Sequence, residues 1–119
     1  MQGTRVTYGY HTAGTLAADH SFIFTLPFDA TLVHVSAVAT NASSAILDVG
    51  KTGALEAYVL NKDVGDSSVP ATVDAPDEFV GGNYPHILAG TVIIATLDFD
   101  GAAGTAAQNF SLVLTFTEG

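Results

Sequence analysis

Between Asn109 and Thr117 the side chains alternate without a break. Phe110, Leu112, Leu114 and Phe116 fall on one side of an extended backbone, and Ser111, Val113, Thr115 and Thr117 on the other. A period of two describes a strand with one buried face. A helix would throw the same four large groups onto opposite sides of its axis. A Gly/Ala loop separates this run from a second extended stretch, Thr91–Phe99. A strand with four large apolar groups on one face must cover them with a second layer, so this ending alone demands a packed β-architecture. Because the alternation runs almost to Gly119, the C-terminus is expected to be tied into a sheet.

Shorter strand signals precede it. Arg5–Tyr10 sets Val6, Tyr8 and Tyr10 against Arg5, Thr7 and Gly9. Ser21–Phe28 sets Phe22, Phe24, Leu26 and Phe28 against Ser21, Ile23 and Thr25, with Pro27 near its end. Thr31–Thr40 places Val33, Val35, Ala37 and Ala39 on one face and Leu32, His34, Ser36 and Val38 on the other. Ala45–Val49 is a short strand, and Leu55–Leu60 suits either a strand or a helical turn. Asn61–Ser68 reads as a polar loop. From Val69 to Ala89 the chain is irregular, broken by Pro70, Pro76, Pro85, Gly81 and Gly82. In that stretch Phe79, Val80, Tyr84, Ile87 and Leu88 are candidate anchors, and the most loop-like insertions are Asn61–Ser68 and Val73–His86. No long segment has a 3.6-residue period. The expected fold is all-β: a single-domain β-sandwich spanning residues 1–119, jelly-roll-like, with about eight short strands and long loops.

Val92–Leu97 is apolar on both faces, and Leu32–Val38 nearly so. A two-layer sandwich buries only one face of each sheet, so the other is expected to lie under loops or in a subunit interface.

Composition narrows function by exclusion. Twelve acids stand against three cations, Arg5, Lys51 and Lys62, for a net charge of −9. Phosphate recognition needs clustered Lys and Arg, so a nucleic-acid-binding face is excluded, and an anionic membrane surface is disfavoured. No cysteine is present, which rules out disulfides and thiol chemistry. The N-terminal residues lack the apolar core of a signal peptide, and no stretch approaches the ~18 apolar residues of a membrane helix. The chain is therefore expected to be made in a cytoplasm. Only 13% of residues are charged, against roughly 25% ordinarily, so the surface must be built of Thr, Ser, Asn, Gly and Ala. Such a surface suits a protein packed against others.

No motif for chemistry stands out. Gly50-Lys-Thr followed by Gly53 resembles part of a phosphate loop, but position 45 is Ala where the motif needs Gly, and no helix is expected after it, so it reads as a glycine-flanked strand exit. Asp98-Phe-Asp-Gly101 resembles the start of a calcium loop; of the residues that follow, only Thr105 adds an oxygen ligand. Whether Asp98 and Asp100 bind a cation stays open. Asp74, Asp77 and Glu78 read as a solvated loop. His11, His20, His34 and His86 show no metal spacing, and no Gly-x-Ser-x-Gly elbow supports a hydrolase triad around His34. Tyr8, Tyr10, Tyr84 and Phe79 offer an aromatic platform for sugars, although the chain has no Trp. No catalytic, cofactor-binding or metal residue is assigned, and the chain is not expected to be an enzyme.

Four stretches carry a family likeness: Phe24–Ala39 with its Leu26-Pro27 strand end, Leu47–Gly53 with its Val-Gly-Lys-Thr-Gly turn, Leu88–Ile94, and the closing strand Ala106–Phe116. Together they resemble small virion proteins of tailed bacteriophages, most nearly the capsid decoration, or head cement, proteins. The resemblance implies a non-enzymatic structural subunit of the virion. Such a subunit binds the outer face of the shell formed by the major capsid protein, commonly as a trimer, and stabilises that shell. It implies no cofactor and no catalytic residue. Some decoration proteins complete a capsid sheet with a long N-terminal arm; here only Met1–Thr4 precede the first strand. The alternative reading is a carbohydrate- or receptor-binding module of a phage tail or fibre, with Tyr84 and Asp77 at its site.

Overall fold

The computed structural model describes residues 4–102 and 104–119. Nine strands follow in order among the described residues: β1 Arg5–Thr15, β2 His20–Phe24, β3 Ala30–Val38, β4 Ile46–Lys51, β5 Ala54–Asp63, β6 Ala71–Val73, β7 His86–Ile87, β8 Ile93–Asp98 and β9 Gln108–Glu118. A single 3₁₀ turn, Pro76–Glu78, lies between β6 and β7.

Two antiparallel sheets face each other. The first runs β1-β9-β3, with β6 and β7 both on the remaining edge of β3; the second runs β2-β8-β4-β5. Chain neighbours β1 and β2 lie in different sheets, as do β8 and β9. This is the jelly-roll arrangement of an eight-position sandwich, in which β6 and β7 together fill one position.

The core lies between the sheets. From β9 it takes Phe110, Leu112, Leu114 and Phe116, the four residues that alternation assigns to one face, each fully buried. Opposite them β8 contributes Ile93, Ala95 and Leu97, and β4 contributes Leu47 and Val49. No polar or charged residue among those described is buried as a whole, so the interior holds by apolar burial at about 25 cal/mol per Å².

Three elements depart from the sequence reading. In β3, Leu32 is buried together with Val35 and Ala37, whereas strict alternation from Val33 puts Leu32 outside. A β-bulge between Leu32 and His34 inserts one residue and shifts the phase of everything before it. The segment Leu55–Leu60 is part of a strand that continues through Asn61–Asp63 rather than entering a loop. Asn61 adopts φ 52°, and the Asp48 carboxylate accepts from its N–H at 2.6 Å, so the strand passes a kink and continues. Within the irregular stretch from Val69 to Ala89, β6 and β7 are too short to show a period and exist because β3 offers them an edge.

Of the candidate anchors in that stretch, Phe79 and Ile87 are buried, whereas Val80, Tyr84 and Leu88 are exposed. The loop covers the outer edge of β5: the Val80 N–H donates to the Tyr58 carbonyl at 3.0 Å. Covering an edge strand blocks unwanted pairing. The C-terminus is tied down as its alternation predicts, with Glu118 N–H on Thr4 O at 2.9 Å and Gly119 N–H on Asp29 O at 2.8 Å.

Candidate functional site

The Gly50-Lys-Thr-Gly53 segment closes the β4–β5 hairpin. A side chain at Gly50 would collide with the backbone of Ala54 and Leu55, so this glycine serves the close approach of two strands. Strand β5, and no helix, follows it.

Asp98 and Asp100 form a turn in which Asp98 Oδ1 accepts the Asp100 N–H at 3.0 Å. Asp19 from the β1–β2 connection joins them, accepting the Phe99 N–H at 3.1 Å. Loss of hydration raises the Asp98 pKa above the ordinary aspartate value. The bond from Asp100 N–H opposes this, and the negative charges of Asp19 and Asp100 add to it. The carboxylates therefore work chiefly as acceptors for turn amides. No group of three or more His, Asp or Glu side chains among the described residues is placed to hold a metal ion.

In the second acidic group, the Glu78 carboxylate accepts the backbone N–H groups of Asp74 at 3.1 Å and Ala75 at 3.0 Å. These bonds lower its pKa, with help from Lys62, against a smaller desolvation effect. They stiffen the loop that covers β5.

The aromatic residues proposed as one platform are split between opposite edges of the first sheet. Phe79 and Tyr84 pack edge to face at 5.7 Å beyond β6, and the Tyr84 hydroxyl donates to Asp74 O at 2.9 Å. Tyr8 and Tyr10 lie on β1, turned toward the second sheet. Tyr8 stacks on Phe24 at 5.1 Å and Tyr10 lies against Phe22 at 4.9 Å. His20 continues the row over Phe22 at 6.2 Å, and Phe110 and Phe116 back it from the core. This ladder closes the side of the sandwich where β1 and β2 run as the end strands of the two sheets. Burial first, and Tyr8 second, raise the Tyr10 pKa. Each half of the ladder is visible as alternation in Arg5–Tyr10 and Ser21–Phe28. That they meet is a consequence of the jelly-roll crossover.

The two outer faces differ in chemistry. On the second sheet, Ile23 is 63% exposed beside its cross-strand partner Ile94. Ser21 and Thr96 are the next pair, with Asp48 opposite Thr96 on β4. The Thr96 hydroxyl is buried without a hydrogen-bond partner. The apolar second face expected for β8 thus amounts to Ile94, with Thr96 and Asp98 alternating behind it.

The outer face of the first sheet is a carpet of short side chains. Across it run the pairs Thr7–Thr115, Gly9–Val113 and His11–Ser111 between β1 and β9. His34–Thr115, Ser36–Val113 and Val38–Ser111 pair β3 with β9, and Thr72 and His86 sit opposite Ser36 and Thr31. Thr7 and Thr115 hydroxyls are 3.2 Å apart, and His11 Nδ1 is 2.8 Å from Ser111 Oγ. The His–Ser contact that a hydrolase reading sought at His34 therefore occurs at His11. It lies on a flat exposed surface, and no carboxylate on the strands of that face is available to orient the imidazole.

No protein-family model matches the chain, and no curated protein matches it in sequence. In three dimensions it is similar to a chain of the cyanophage Pam1 capsid asymmetric unit, with a TM-score of 0.59 and 17% identity over 99% of this chain and 87% of that one. Weaker likenesses are to the tobacco streak virus coat protein (TM-score 0.40, 12% identity, 96% of this chain and 86% of that) and to the carbohydrate-binding module CBM36 in complex with calcium and xylotriose (TM-score 0.41, 14% identity, 91% and 97%). Neither of these two carries an argument. The first shows that this domain shares the fold of a chain found in a phage capsid assembly.

Proposed function

We propose that this chain is a structural virion protein, a decoration or cement subunit that binds the outside of a phage capsid and stabilises it. The observation that supports the reading is the correspondence of the whole domain with a chain of the cyanophage Pam1 capsid asymmetric unit, 99% of one against 87% of the other. The surface supports it as well. With 13% charged residues and faces of Thr, Ser and Val, the domain can lie against protein over much of its area without stripping water from many charges. The major capsid protein is the partner, and a trimer is the assembly favoured by the likeness to decoration proteins. Many copies on a regular lattice hold by avidity, so no single contact need be strong. No reaction is assigned to the chain.

Shells of the encoding phage, purified without this protein and then mixed with it, provide the test. Saturable binding at a fixed copy number per shell, with a raised shell melting temperature, is expected. Shells that neither bind the protein nor gain stability in its presence overturn the proposal. Glycan-array binding without shell binding overturns it too, in favour of a carbohydrate-binding tail or fibre module.

A further inference from the structure

We infer that the outer face of the β1-β9-β3-β6 sheet, with Gly9 on its β1 end strand, is the surface through which copies of this chain meet one another.

Charge is the first argument. The chain carries −9, so two copies repel unless they meet where the acids are absent. The strands of the second sheet hold Asp48, Glu56, Asp63 and Asp98. The strands of the first sheet hold a single acid among the described residues, Glu118 at the very end of β9. Alternation puts Glu118 in phase with the buried Phe116 and out of phase with Thr115 and Thr117. The outward positions are Thr, Ser, Val, Gly and His, with Arg5 at one corner. Of the two sheet faces, this is the one whose strands turn no carboxylate outward; Asp29, Asp74, Asp77 and Glu78 lie in the loops at its margin.

Gly9 is the second argument. A glycine in the middle of a strand weakens it and ordinarily marks a bulge or the close approach of another backbone. Gly9 pairs in register with Val113, away from the irregularity at Thr12–Thr15. Its backbone is not left-handed, and a Cβ there would meet nothing within 4 Å. Nothing inside the chain requires a glycine at this position. A neighbouring chain lying close against the face would.

Size is the third. Three strands of nine to eleven residues about 4.8 Å apart, with the short β6 and β7 beside them, make roughly 500 Å² per copy, or about 1,000 Å² for two faces in contact. That is the lower limit for a specific interface, so the association is weak and concentration-dependent in solution.

Sedimentation equilibrium from micromolar to near-millimolar concentration tests this on the free protein, with Gly9→Val and Ile23→Ser compared against it and circular dichroism confirming each fold. Concentration-dependent self-association is expected. Gly9→Val should weaken it about tenfold or more, and Ile23→Ser, on the opposite sheet, should leave it unchanged. Wild-type protein that stays monomeric throughout overturns the inference. So does association that survives Gly9→Val or is abolished by Ile23→Ser. The result stands apart from the virion reading: two identical faces meet about a twofold axis and give a dimer, so a trimer in sedimentation removes this interface, as does a monomer that still binds shells, and either leaves that reading intact.

Discussion

At the scale of single residues, Gly9 and Gly50 carry opposite lessons. Both occupy strand positions, but Gly50 lies against the backbone of Ala54 and Leu55, and Gly9 faces open space. Gly50→Ala is therefore expected to cost about 1–3 kcal/mol, because the β4–β5 hairpin must open to admit a methyl group. Gly9→Ala should be neutral or slightly stabilising in the monomer, and urea denaturation of the two variants reads the difference. Asp98 offers a second test. Its pKa is raised in the folded state by desolvation, with Asp19 and Asp100 adding repulsion. The folded protein thus binds a proton there more readily than the unfolded chain does. The charged form at neutral pH opposes folding, and that opposition is relieved as pH falls through the raised pKa. Asp98→Asn keeps the acceptor for the Asp100 N–H and removes the charge. It is expected to raise stability at pH 7 by less than about 1 kcal/mol after solvent screening. The gain should vanish once the medium is acidic enough to protonate Asp98 in the unfolded chain, as melting curves at the two pH values will show.

At the scale of elements, legibility followed burial. β9 is read in full from its alternation because it lies at the centre of its sheet and one of its faces is wholly buried. Leu114→Ala should therefore cost about 2–5 kcal/mol, and Val113→Ala, one residue away on the outer face, about 1 kcal/mol or less. Denaturant midpoints with unchanged m-values would establish that contrast. β3 was legible in type but not in phase, since its bulge at Leu32–His34 is set by packing against β9 and leaves no local signature. β6 and β7 were not legible at all. Three and two residues long, they are extended because β3 lends them an edge. The aromatic ladder belongs to this scale as well. Tyr8 and Tyr10 come from one strand, Phe22 and Phe24 from the next, and the two strands lie in different sheets.

For the whole molecule, the pairing of β1 with β9 is the dominant fact. Arg5 pairs with Thr117, so the first sheet cannot close until the two ends of the chain meet. Loop-closure entropy must be met before those contacts stabilise anything, and refolding is expected on the millisecond-to-second scale typical of non-local β-topologies. Stopped-flow fluorescence from the four tyrosines would follow it, and a microsecond phase accounting for the full amplitude would contradict it. The surface has the same origin. No single strand reveals an acid-free face; that property emerges when β1, β9, β3 and β6 are laid side by side.

Local order along the chain was enough to identify an all-β sandwich and to name the core of β9, and composition alone gives the net charge of −9. Strand periodicity and net charge are properties of neighbouring residues and of totals. The phase of β3, the short strands on its edge, the meeting of Tyr8 and Tyr10 with Phe24 and Phe22, and the assembly of strands nearly free of acids into one sheet all depend on which distant strands pair. Pairing is decided by the burial of the whole core at once, and no stretch of ten residues contains that information.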